Sequence, residues 1–68
     1  MEETEEIKAG IAKKTEGNAL FAAMKFKEAI DCYRSALEFI PDDKGLEHKG
    51  IIYCNMGAAH MQLVRNLM

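Results

Sequence analysis

Sixty-eight residues with an apolar content of 49% and a formal net charge of −2 exclude a disordered tail, and no basic stripe is present to hold nucleic acid or an anionic membrane. A chain of this length buries only about 60% of the surface that its unfolded form exposes, so it builds at most one small, marginally stable domain. The longest uncharged run, Gly50 to Val64, is too short to span a bilayer and contains Asn55, His60 and Gln62.

The first residues, Met1-Glu2-Glu3-Thr4-Glu5-Glu6, are the opposite of a basic signal-peptide start and suit the positive end of a helix dipole. Ile7, Ile11, Leu20, Phe21 and Met24 then fall on one side of a first helix. A tight corner is expected at Met24-Lys25-Phe26. A second helix runs from about Lys27 to Phe39, with Phe26, Ala29, Ile30, Tyr33, Ala36, Leu37 and Ile40 at steps of three and four. Pro41 ends it, because proline lacks the backbone donor and pushes the residue before it out of the helical region. Asp42-Asp43-Lys44-Gly45 reads as a turn or helix start, and a third helix begins between Asp43 and Glu47 and runs nearly to the end. Nothing alternates with period two, so no strand is expected. The fold class is all-α, an antiparallel αα-hairpin followed by a third helix.

Small residues carry the next inference. Gly17 lies inside the first helix, where glycine costs about 1 kcal/mol relative to alanine. Ala29 and Ala36 lie seven residues apart on the second. A glycine facing two alanines lets two antiparallel helices approach closely, with Phe21, Phe26, Tyr33 and Leu37 filling the flanks.

The register of Gly17, Phe21, Ala29, Tyr33, Ala36 and Pro41 resembles the tetratricopeptide repeat family, whose unit is a helical hairpin of about 34 residues. The likeness is strongest from Ile11 to Pro41 and implies one complete repeat over about 10–43. Tyr53-Cys54-Asn55-Met56-Gly57-Ala58-Ala59 resembles the first helix of a second unit over 50–68, with Gly57 at the small position. Asn66 stands where the family places an aromatic residue. The resemblance implies a truncated α-solenoid and a protein–protein interaction module.

One subset of that family, co-chaperone adaptors, binds acidic carboxyl-terminal tails of chaperones through a carboxylate clamp carrying Lys-x-x-Gly-Asn. Lys14-Thr15-Glu16-Gly17-Asn18 matches it, and Asn55 takes the place of the clamp's second asparagine. The resemblance therefore implies a peptide-binding set of Lys14, Asn18 and Asn55, with Phe21 beside them, and a chaperone tail as partner. An ammonium and two amides can hold a carboxylate by charge-assisted hydrogen bonds. The clamp's remaining cationic residues belong to a third repeat that these residues do not include.

The third helix suggests a second reading. It is uncharged from Gly50 to Val64, and its apolar residues cover more than one face. One face is expected to pack on the second helix. Another, comprising Ile52, Met56, Gly57, His60 and Leu63, is expected to be an association face, available for self-association of a fragment or for docking of a partner helix.

Other groups are read as structural. His48, His60, Cys32 and Cys54 lack metal-ligand spacing, so no metal and no cofactor is expected. Cys32 is read as a small packing residue and Met24, Met56 and Met61 as packing. Glu28 with Asp31, and Asp42 with Asp43, read as solvated charges without a pocket around them, so no enzyme activity is expected. Two separated cysteines fit a reducing compartment, and a cytoplasmic location is the expectation.

Overall fold

The computed structural model describes residues 4–67, which form three α-helices and no strand: α1 (Glu5–Ala22), α2 (Phe26–Phe39) and α3 (Leu46–Leu67). The all-α expectation of a hairpin followed by a third helix holds. Glu2 and Glu3 of the acidic start lie outside the described residues.

Thr4 opens α1. Its extended backbone (φ −75°, ψ 169°) lets Oγ1 accept the Ile7 N–H at 3.2 Å, and Glu5 and Glu6 sit in the first turn against the positive helix end. At the other end the Lys25 N–H donates to the Leu20 carbonyl and the Met24 N–H to the Phe21 carbonyl, both at 2.9 Å. This is a Schellman closure, and its left-handed residue is Met24, with φ +65°. The expectation that Met24 packs on the apolar side of the first helix is corrected: the turn sends its side chain out, 70% exposed.

Ile40 is extended (φ −88°, ψ 123°), as the residue before a proline must be, yet its N–H still donates to the Ala36 carbonyl. Asp42 and Lys49 form an ion pair across the start of α3, and the hydrogen bond from Lys49 holds the Asp42 carboxyl below the usual carboxylate range. Gly45 takes φ +93° while its carbonyl accepts the Lys49 N–H. A Cβ there would also lie 2.8 Å from Ile40 Cγ2, so both conformation and space require glycine.

α2 is the central helix; it packs against α1 on one side and α3 on the other, while α1 and α3 touch least. Ile7, Ala29, Tyr33, Ala36, Ile40 and Ile52 form the main core, flanked by Ile11, Leu20 and Leu37. A second cluster of Phe26, Ile30 and Ala59 joins α2 to α3, and Phe21 and Met56 pack against both. Phe21 meets Phe26 edge to face, with ring centroids 5.1 Å apart.

The glycine–alanine expectation needs a change of register. Gly17 is buried, but it faces the Tyr33 ring, with Cε1 2.7 Å from where a Cβ would stand. Gly10, one heptad earlier, receives Ile40 in the same way. The close approach is therefore a large α2 side chain seated on an α1 glycine, because a knob in a notch fills space that small-on-small contact leaves empty. Met61 is also corrected from packing to exposed, whereas Met56 is half-buried.

Two stability changes follow. Met24→Gly is expected to raise stability by about 0.5–1 kcal/mol, since a left-handed non-glycine costs about 1–2 kcal/mol and little packing is lost. Gly17→Ala gains about 1 kcal/mol of helix propensity but meets the fixed Tyr33 ring, an overpacking cost of about 1–3 kcal/mol, so a net loss is expected. Urea unfolding followed by circular dichroism measures both.

Candidate functional site

The side chains with the most distinctive polar arrangement come from all three helices. Asn18 on α1, Tyr33 on α2 and Asn55 on α3 converge on one atom. Asn18 Oδ1 accepts the Tyr33 hydroxyl at 2.6 Å and the Asn55 Nδ2 at 3.0 Å. Tyr33 is 1% exposed, and burial pushes its phenol above its ordinary value, so it remains a donor near neutral pH.

With its oxygen engaged twice, Asn18 keeps both hydrogens of Nδ2 free among the described residues, and Asn55 keeps one. These amides border an open groove of about 230 Å³ lined by Asn18, Phe21, Tyr33, Asn55 and Ala58. Its walls are aromatic and aliphatic, its polar groups are amides and a phenol, and no carboxylate lines it.

Three of the four peptide-binding residues expected from sequence, Asn18, Phe21 and Asn55, thus meet at one place. Phe21 serves the core as well. Lys14 lies one turn before Asn18 on the same face of α1, half-buried, outside the groove lining and with no ion pair among the described residues. Sequence reasoning assigned Tyr33 to packing and missed its hydroxyl. The available signal was tyrosine rather than phenylalanine at a buried position, since a buried phenol needs a partner. Ala58 was also missed, because alanine carries no chemical signature.

The expected association face divides. Ile52 is 0% exposed in the main core, which corrects its assignment to an open face. Met56 and Leu63 are half-buried and pack toward Phe26, Ile30 and Ala59, so they too belong to the inner side of α3. Gly57 and His60 are exposed, and a Cβ at Gly57 would meet nothing within 4 Å. The difference arises because α3 turns the Ile52–Met56–Ala59–Leu63 side toward α2, at the three- and four-residue steps of one helix face.

Cys32 is half-buried and Cys54 exposed, both as free thiols. Burial, then the nearby Glu16 carboxylate, pushes the Cys32 thiol up, away from nucleophilic character. Among the described residues no group of three or more His, Cys, Asp or Glu side chains is placed to hold a metal ion, and no helix is long and apolar enough to cross a membrane. No family model, curated protein or solved structure matches the chain.

The shared acceptor makes the two contacts energetically dependent. Asn18→Ala strands the buried Tyr33 hydroxyl and is expected to cost about 1–3 kcal/mol. Tyr33→Phe removes that stranded group, so Asn18→Ala combined with Tyr33→Phe is expected to be less destabilising than the sum of the two. A double-mutant cycle by chemical denaturation tests this; strict additivity would mean that the hydrogen bond contributes nothing.

Proposed function

We propose that the chain is a protein-interaction module that takes the free carboxylate at the end of an extended acidic peptide in the groove between α1 and α3. The observation that carries this reading is the pair of amides, Asn18 and Asn55, held by a common oxygen with their remaining hydrogens unused. Amide donors preset in a partly apolar groove suit an acceptor-only group, and of a peptide's acceptors the carboxylate takes the strongest, charge-assisted hydrogen bonds. Lys14, one turn away on the same face, supplies the attracting charge. Phe21, Tyr33 and Ala58 offer apolar walls for the peptide's last side chains.

The likeness of Lys14-Thr15-Glu16-Gly17-Asn18 and Asn55 to the carboxylate clamp of tetratricopeptide co-chaperones supports the same reading, with a chaperone's acidic tail as the corresponding ligand and the cytoplasm as the corresponding location. Affinity is modest, because one ammonium and two amides hold the carboxylate.

The test is a titration of the chain with an acidic peptide bearing a free carboxyl terminus, beside its carboxyl-amidated form, followed by amide chemical shifts. The free acid is expected to shift Lys14, Asn18 and Asn55 and to bind more weakly as salt is added. Lys14→Ala is expected to reduce affinity by about tenfold, the loss of one charge-assisted contact. Equal binding of the amidated peptide, or shifts that avoid these three residues, refutes the proposal.

A further inference from the structure

Leu46, Gly50, Tyr53, Gly57, His60 and Val64 follow one another at steps of four and three, which places them on one stripe along α3. Every one is exposed: Leu46 69%, Tyr53 60% and Val64 56%, with no atom within 4 Å of a Cβ built at Gly50 or Gly57. None carries a formal charge at neutral pH with histidine neutral. The stripe is distinct from the inner side of α3 that packs on α2. At 3.6 residues per turn it also lies opposite Asn55 and about a third of a turn from Ala58, the two α3 residues that line the groove.

We propose that this stripe binds a second copy of the chain, with the two α3 helices antiparallel about a twofold axis that crosses the stripe between Tyr53 and Gly57. Its sequence is complementary to itself in that orientation. Tyr53 lies opposite the partner's Gly57, and Gly50 opposite the partner's His60. Leu46 lies opposite the partner's Val64, so each layer sets a larger side chain against a glycine or two aliphatic groups against each other. The same kind of contact already exists inside the molecule, where the Tyr33 ring sits on Gly17 and Ile40 on Gly10. Gly10 and Gly17 of α1 have the same seven-residue spacing as Gly50 and Gly57 of α3, but only the α1 pair is filled.

Charge selects the direction. Glu47 lies in the first turn of α3 and Arg65 in the last. They are eighteen residues apart, a whole number of turns, and so share one flank. In an antiparallel pair that flank meets itself, and each Glu47 comes within two residues of the height of the partner's Arg65. A parallel pair would put the two Glu47–Arg65 flanks on opposite sides of the interface, where they do not pair with each other. The helix dipoles favour the antiparallel arrangement too.

Sedimentation equilibrium of the intact chain, over about 10 to 500 micromolar, is expected to fit a monomer–dimer equilibrium. Gly57→Leu touches nothing within the monomer, so its helical circular dichroism is expected to persist. It blocks the seat of the partner's Tyr53 and is expected to weaken the dimer by about tenfold or more. Glu47→Lys and Arg65→Glu should each weaken it by about two- to fivefold, and the two together should recover the original constant. A chain that stays monomeric across the range overturns the proposal, whether or not it takes up an unrelated amphipathic helix. A dimer indifferent to Gly57→Leu overturns it as well, and failure of the charge pair to recover overturns the antiparallel direction.

Discussion

Tyr33 is the contact on which the rest of the molecule depends. Its ring fills the notch left by Gly17 and so sets the distance between α1 and α2. Its hydroxyl fixes Asn18, and Asn18 in turn receives Asn55 from α3. One side chain therefore supplies packing to the hairpin, satisfies a buried polar group and orients the amides of the groove. A domain this small has few redundant contacts, so combining these roles in one residue concentrates both stability and site geometry there.

The central position of α2 explains the different character of the helices. α2 is covered on two sides; Phe26, Ala29, Ile30, Tyr33 and Ala36 are buried, and Phe39 near its end is exposed. α3 is covered on one side only. Ile52 and Ala59 are fully buried, while Tyr53, Met61 and Val64 remain exposed on the same helix. An apolar composition that would suit a helix packed on two sides is thus met by packing on one, and apolar residues of the second side stay exposed.

The sequence made the hairpin legible because its signals are local. Proline at 41, the acidic first turn and the three- and four-residue steps of α2 each act within a few residues, and the helix limits follow from them. Met24 was misread because periodicity continues through a residue whose backbone has already left the helix; only the carbonyl partners of Lys25 and Met24 reveal the closure. The gathering of Asn18, Phe21 and Asn55 followed from motif likeness. The acceptor atom that joins the amides depends on tertiary geometry and left no trace in spacing. The outer face of α3 was misassigned for a related reason: when apolar residues surround a helix, period alone does not say which of them face inward, and the answer came from the partners of Ile52, Met56 and Leu63.

α1 and α3 touch less than either touches α2, and the Asn18–Asn55 bond is a side-chain link between them. The two walls of the groove are therefore coupled mainly through their common neighbour. Local opening that lifts α3 from α2 dismantles the groove while the α1–α2 hairpin keeps its own core of Ile7, Tyr33 and Ile40. The lifetime of the groove is consequently that of the α2–α3 seam around Phe26, Ile30 and Ala59, and amide protection along α3 is a clock for it.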